Sequence, residues 1–513
     1  MAITDLEYLP PAGLDLNAIA DRLPAPLHAN GEATERGRRA LYDTFDSRLR
    51  DAGLRLWHED GFLKLADAGG RELAASPVES AAETIRPADL APGPLRDRLV
   101  PACGLRVLLQ TAEVDSTRRL LPILDDEEKT VARLVAEQAV LPDAPRPGDT
   151  LRPRIHLLGV RGYDKAFGRI RSVIEDDLGL RVAAETFEDE VRTRVSSPPG
   201  LSSDAAVEIT PDLPADRAAV ALSMRLLHTI EANLPGTLAD LDTEFLHDLR
   251  VAVRRTRSLQ RELKKVFPPD GLAAFRQEFR WLQQATGPSR DLDVYLLEFG
   301  DFAEAVPAPH RESLELLRQL LEERRAAERL AMDRALRSAR TTRLLHGWAD
   351  FLERLPSLAV DDRPHAVRPI GEVAARRIER VYRRMVRMGG AIDDTSPHEA
   401  LHDLRKKGKE LRYLLEFFAP LFPKDVTKPM VKTLKSLQDT LGRFQDREVQ
   451  ATMIRGLADD VASRPGGADA LMAMGVLIER LQEQQDAARA EFNERFAAFA
   501  SPEQRALVGK TFR

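Results

Sequence analysis

The 513-residue sequence predicts an α+β protein in two unlike halves, strand-rich over residues 1–195 and all-helical over 212–513. Three observations carry that expectation. Short alternating apolar runs, punctuated by Gly, Pro and Asp clusters, fill the first part. From Asp216 onward the apolar spacing is helical with few breakers. Within that region one histidine-led helix occurs twice.

Taken in order, Leu54–Trp57, Phe62–Leu65, Leu105–Leu109 and Ile155–Val160 read as strands. Lys129–Ala139 and Tyr163–Asp177 read as helices, the second with apolar residues at helical spacing. Ser196-Ser197-Pro198-Pro199-Gly200, continuing to Pro211 and Pro214, reads as an interdomain linker placed at 196–211. Beyond it, long stretches such as Ser313–Leu345 and Gly371–Met388 belong to paired helical bundles, with repeats at about 212–355 and 366–513.

The first copy of the repeated helix reads His247-Asp248-Leu249-Arg250, continues through Arg254, Arg257 and Arg261, and stops at Phe267-Pro268. The second reads His402-Asp403-Leu404-Arg405, then Lys409 and Arg412, and stops at Phe422-Pro423. The offset is 155 residues at the His and at the Phe-Pro, and again from Leu282-Gln283 to Leu437-Gln438, Gly287 to Gly442 and Asp291 to Asp446. Copies held in register without a gap are an internal duplication.

At about 100° per residue, the five basic positions of copy one fall within an arc of about 80°. Leu246, Leu249, Val253, Leu259 and Leu263 form the apolar stripe beside them. A solvated face lies opposite the core and mixes acids with bases. This one adjoins the core, with no acid in copy one and only Glu416 at the far end of copy two. Bases crowded at a core margin repel one another, so the pattern calls for an anion between them. Arg376, Arg380, Arg383 and Arg387 share about 60° of another helix. They are expected to join the wall, as are Arg225 (repeat mate of Arg380) and the mates Arg280 and Lys435.

Composition bounds the function. The chain is 43% hydrophobic and 31% charged, with a formal net charge of −6, which argues against a general nucleic-acid binder. Residues 1–200 hold 27 bases and 34 acids, and 201–513 hold 49 and 48, so the second part is neutral but sorts its bases onto particular faces. Aromatic residues make up 5% and are not interleaved with the basic stripes, which argues against base stacking. The single Cys103 excludes an intramolecular disulfide. No basic-then-apolar leader opens the sequence and no apolar run approaches 18 residues, so a cytoplasmic protein without a membrane partner is expected. No GxSxG, Gly-rich phosphate loop or Cys/His nucleophile set occurs.

The doubled His-Asp-Leu-Arg helices, their Phe-Pro ends and the later Leu282–Val294 and Leu437–Val449 segments resemble the CHAD domain, a conserved-histidine α-helical family, over about 212–513. Leu41-Tyr42-Asp43-Thr44-Phe45-Asp46, Leu49 and Ala52-Gly53-Leu54-Arg55-Leu56 resemble a segment of CYTH domains. The resemblances imply an N-terminal antiparallel β-barrel of the triphosphate-tunnel type. An all-α domain of two pseudo-twofold-related four-helix bundles would follow it, with a central basic channel for inorganic polyphosphate. They also imply that the channel is lined by the residues of the two His/Arg helices, His247, Arg250, Arg254, Arg257, Arg261, His402, Arg405, Lys409 and Arg412; the shared arc and the repeat mates add Arg225, Arg280, Lys435, Arg376, Arg380, Arg383 and Arg387.

The barrel departs from its family's pattern. At Asp5-Leu6-Glu7-Tyr8-Leu9 a lysine is replaced by Leu9; Trp57 and Glu59 stand where phosphate-holding bases are expected; Ala66 takes a further lysine's place. Around Arg154-Ile155-His156 the expected carboxylate pair is missing. Triphosphate hydrolysis needs clustered bases and metal-seating carboxylates. The expectation is therefore a barrel without catalysis, no cofactor, and a non-catalytic polyphosphate binder, which the resemblance to CHAD proteins places at polyphosphate granules. A triphosphatase fed by a polyphosphate-holding domain and a binder of nucleic acid or acidic protein are the rivals. His247 and His402 lack a third carboxylate or thiol, so no metal centre is expected. Asp291, Asp293, Asp446 and Glu448 are expected to cap or to pair with Arg290 and Arg447, and exposed bases such as Arg377 and Arg384 to matter little.

Overall fold

The computed structural model describes residues 6–11, 14, 16–68, 71–80, 82–142, 151–195 and 207–512. Asp5 and most of the expected linker lie outside the described residues. The chain divides into two compact units, Met1–Leu201 and Ser202–Arg513.

The first unit is an antiparallel sheet of β1 (Leu6–Tyr8), β2 (His28–Ala29), β3 (Ala33–Thr44), β4 (Leu54–Glu59), β5 (Phe62–Asp67), β6 (Glu72–Pro77), β7 (Thr84–Ile85), β8 (Leu108–Leu124), β9 (Thr130–Val140) and β10 (Arg154–Gly159). Its path is β1-β10-β9-β8-β3-β4-β5-β6, with β2 and β7 also on β8. The sheet curls into a half-barrel. Register shifts at Leu41/Tyr42, Leu65/Ala66 and Ile123/Leu124 are where bulges let such long strands bend. The helix expected over Tyr163–Asp177 is present as α1 (Asp164–Ser172) and a π-helical turn to Asp177, and α2 (Phe187–Val195) follows.

The helix expected over Lys129–Ala139 is instead strand β9. Its Ala, Arg, Leu, Glu and Gln favour helix locally. However, β9 is hydrogen-bonded to β8 on one side and β10 on the other, and residues on both its faces are buried. Burial on both faces erases the period-two alternation that marks a half-exposed strand, so tertiary pairing overrides propensity.

The second unit is helical: α3 (Ala215–Ala239), α4 (Thr243–Glu262), α5 (Pro269–Ala285), α6 (Gly287–Leu297), α7 (Glu315–Leu336), α8 (Ala339–Arg354), α9 (Ile370–Gly389), α10 (His398–Phe418), α11 (Lys424–Arg455), α12 (Gly467–Phe499) and α13 (Pro502–Thr511). Helices α3, α4 and α5 begin 155 residues before α9, α10 and α11, so the duplication of sequence is one of structure. The Phe-Pro pairs work at these joints. Pro268 and Pro423 are the N-cap residues of α5 and α11. Phe267 packs near Trp348, and Phe422 lies edge-on to Phe512 at 4.8 Å. The copies differ beyond: α5 stops at Ala285 and α6 restarts at Gly287-Pro288, where copy two runs unbroken through Gly442-Arg443. Proline cannot donate the bond that would continue the helix.

Apolar residues of both copies merge into one core, among them Leu249, Val253, Trp348, Leu404, Leu411 and Leu437. A second core joins Leu292–Val306 and Leu314–Leu321 to Ala451–Leu481. The basic stripe of α4 is thus set by its apolar stripe. Leu246, Leu249, Val253 and Leu259 are almost fully buried, which fixes where Arg254, Arg257 and Arg261 point. Asp242 starts α4 by accepting from the backbone N–H of Glu244 at 2.9 Å and of Phe245. No helix among the described residues is long and apolar enough to cross a membrane.

Candidate functional site

The basic stripes of the two copies meet at a cavity of about 810 Å³ between α4, α5 and α10. Arg254, Arg257 and Arg261 line it from α4, Arg276 and Arg280 from α5, and Lys406, Lys409 and Tyr413 from α10. Its one carboxylate, Glu410, already accepts from Arg377 at 2.9 Å and from Lys407 at 2.5 Å. The Arg254 guanidinium lies 5.9 Å from the centre of the Tyr413 ring, linking the copies across the seam.

The charges here are under strain. Burial, reinforced by Arg405 and Arg254, pushes the Lys409 ammonium down to about 8. Burial also lowers Arg257, and Arg280, Arg261 and Arg276 add to it. Bases held below their ordinary values by partial burial and like charge are bases whose charge an incoming anion would stabilise.

A second cavity of about 300 Å³ shares Arg261 and Arg276 with the first. Lys264, Lys265, His365, Arg368, Arg376, Arg377 and Arg380 complete its basic lining, with Glu262 as its one acid. Arg377, expected to be a bystander, lines this cavity and bridges Glu262 and Glu410.

Other expected residues lie elsewhere. Arg250 donates to the Gln283 carbonyl and the Thr286 hydroxyl, each at 3.0 Å, because it sits opposite the end of α5; it ties that helix end down and does not line the cavity. His247 accepts from Arg290 at 3.0 Å. Arg405 pairs with Asp446 at 2.8 Å and Arg412 with Glu416 at 2.6 Å, so local carboxylates hold both outside the cavity lining. Arg383 pairs with Glu379 at 2.7 Å, and with Arg387 it faces a separate cavity against α13. Arg225 and Lys435 line neither basic cavity; Lys435 is exposed on α11. His402 lines a different cavity, beside His398. Asp293 pairs with Arg325 at 2.5 Å and not with Arg290, since α7 brings Arg325 alongside. Arg276 and Lys406 lie outside the duplicated basic pattern, since their repeat mates are Val431 and Val251. The one available signal was the i, i+4 spacing of Arg276 and Arg280.

The half-barrel holds more acids and bases than its sequence suggested. On one face Glu137 pairs with Arg39 and with Arg118 (3.4 Å), and Glu59 with Arg118 and with Lys64 (3.2 Å). Against the burial that would raise it, His156, Arg39 and Arg118 hold Glu137 down at about 2. The fully buried Arg154 is clasped by Glu7 and by Glu190 at 2.6 Å. These groups come from strands far apart in sequence, so no short motif reveals them. They neutralise one another, in contrast to the unbalanced cavity of the helical unit.

The CHAD domain family model matches residues 221–455. Two uncharacterized proteins of Mycobacterium tuberculosis, one from each of two strains, are each 28% identical over 258 residues, 47% of this chain and 47% of theirs. The chain thus spans about half the length of the curated relatives it matches. Among solved structures, the helical part is similar to the CHAD domain from the plant Ricinus communis (25% identical, TM-score 0.49, 58% of this chain and 96% of that one). It is also similar to PptA from Streptomyces chartreusis (18%, TM-score 0.43, 55% and 99%).

Proposed function

From a CHAD domain at residues 221–455 as premise, we propose that the chain binds inorganic polyphosphate without cleaving it, at the seam between its two helical copies. One observation carries the reading: the seam cavity gathers seven arginines and lysines around a single, already paired glutamate. Arg261 and Arg276 continue the lining into the second cavity, so the basic surface is a track, which suits a linear polyanion better than a lone phosphate. Arginine forks bind phosphate oxygens in pairs, and a polymer gains further by releasing condensed counterions. A non-catalytic role accords with a half-barrel whose acids and bases are paired with each other. Residence at cytoplasmic polyphosphate granules follows from the same reading.

The test is calorimetric titration of the full chain with polyphosphate of defined length. Replacing Arg254, Arg257, Arg280 and Lys409 together by alanine should weaken binding at least about tenfold, since each removes a charge-assisted contact. Helix content, read by circular dichroism, should persist. Unchanged affinity with intact helices overturns the proposal. DNA that displaces bound polyphosphate at matched charge and salt favours the nucleic-acid reading, and metal-dependent phosphate release favours the triphosphatase.

A further inference from the structure

The second basic cavity is more than a further stretch of the seam, because the duplication does not account for it. Among the bases that line it, Arg261, Lys264, Arg276, Arg368 and Arg376 have as repeat mates Glu416, Ala419, Val431, Leu213 and Ala221. Arg380 alone has a basic mate, Arg225. The pocket therefore belongs to one side of the repeat and gives the basic track a direction.

The track also stops there. The pocket's outer wall is the loop before α9, which carries His365 and Arg368. Within that loop the buried Arg363 donates to the Ala359 carbonyl at 2.9 Å and to the Leu358 carbonyl. The His365 N–H donates to the Lys265 carbonyl at 3.2 Å, and the Arg368 carbonyl accepts from the Ala215 N–H at 2.9 Å. On α9, one turn before Arg376, Glu372 pairs with Arg368 at 3.0 Å and with Arg376 at 3.6 Å. Beyond these arginines the wall thus turns acidic, which repels a polyanion running further.

The lining also contains an unusual acceptor. Guanidinium and ammonium groups only donate. Two side chains of the lining can accept: Glu262, already engaged by Arg377 and by Arg261 at 2.6 Å, and His365. Burial, with Lys265, Arg368, Arg376 and Arg380, holds His365 below the usual histidine range, so near neutral pH one nitrogen of its uncharged ring can accept a hydrogen bond. Interior phosphates of a chain are fully ionised and bring acceptors only. A terminal phosphate has a further oxygen that titrates near pH 6, so it brings either a second negative charge or an O–H donor. A pocket of about 300 Å³, crowded with bases around one imidazole, matches both forms. Resting on the seam reading above, we propose that this pocket receives the end of a polyphosphate chain, with His365 accepting from the terminal O–H and Arg368, Arg376 and Arg380 holding the ionised oxygens.

The test is calorimetric titration of the full chain with polyphosphate of one defined length, prepared with free ends and with both ends amidated by methylamine, which removes the terminal O–H and its charge. The parent should bind the free-ended chain about tenfold or more tightly than the capped one. His365→Ala and Arg380→Ala, each at a side chain outside the core, should both shrink that ratio by about fivefold or more. Arg254→Ala, which lines the seam cavity and not this one, should weaken both chains and leave the ratio unchanged. Equal affinity of the parent for the two chains overturns the proposal and spares the seam reading, as does a ratio that neither His365→Ala nor Arg380→Ala alters. Binding of neither chain overturns the seam reading and this proposal with it.

Discussion

Lys409 shows how one side chain registers the state of the seam. Burial and the neighbouring guanidinium groups of Arg405 and Arg254 hold its ammonium down at about 8, against the attraction of Asp446. A base with a lowered folded value disfavours the folded state while protonated. That cost is fully present below about pH 8 and fades as pH rises toward the ordinary lysine range, where the unfolded chain also loses its proton. A polyanion reverses the balance by stabilising the charged form. Above about pH 8 binding must therefore take up a proton, and polyphosphate affinity should fall between pH 7 and 9, by up to about tenfold per unit. Lys409→Arg, which stays charged throughout, should flatten the profile. Titrations at several pH values and constant salt check this; a parent profile as flat as that of the variant would refute it.

Helix crossings set the spacing on which the seam depends, and glycine sets two of them. A Cβ at Gly389 would lie 2.0 Å from the Phe496 ring of α12, and one at Gly236 would lie 2.3 Å from Phe245 of α4. Neither ring can be displaced without repacking a core helix. Gly389→Ala should therefore lower stability by about 1–3 kcal/mol, the usual cost of overpacking. Gly475→Ala, in the interior of α12 with open space around it, should instead raise stability by about 0.5–1 kcal/mol through helix propensity. Urea unfolding followed by helical circular dichroism measures both. The helices were readable in advance because duplicated spacing and one-sided apolar stripes survive in the sequence; α3, α4 and α5 recur at α9, α10 and α11 in register. Strand β9 was not, because central strands buried on both faces lose alternation and Thr130–Val140 is rich in helix formers. The placement of Arg250 and Arg405 was not readable either. Periodicity puts them on the basic face, but the Gln283 carbonyl and Asp446 reach them from other helices.

At the scale of the molecule, charge is segregated rather than abundant. The chain carries a net −6, and the first 200 residues hold an excess of acids, so bulk electrostatics oppose a polyanion. On the proposed reading, affinity for polyphosphate would then have to come from the seam, where like charges stand together with one paired acid between them. Arg39, Lys64 and Arg118 of the half-barrel are in close contact with Glu59 and Glu137 and cannot release counterions to the same extent. That segregation was half legible: the stripe on α4 showed in its spacing, whereas Arg276, Lys406 and the strand-borne pairs meet only after folding. The consequence is a salt dependence that reports local charge and not net charge. By analogy with nucleic acids, each neutralised contact contributes roughly 0.7–0.9 to the slope of log affinity against log salt, so about seven contacts predict a slope of roughly −5. Arg257→Ala should make it shallower by about 1, whereas Lys64→Ala in the half-barrel should leave it unchanged. Titrations from about 50 to 200 mM salt, the range over which such slopes show clearly, would measure both variants beside the parent. A slope near zero, or one that Lys64→Ala alters as much as Arg257→Ala, would mean that binding does not draw on the charge gathered at the seam.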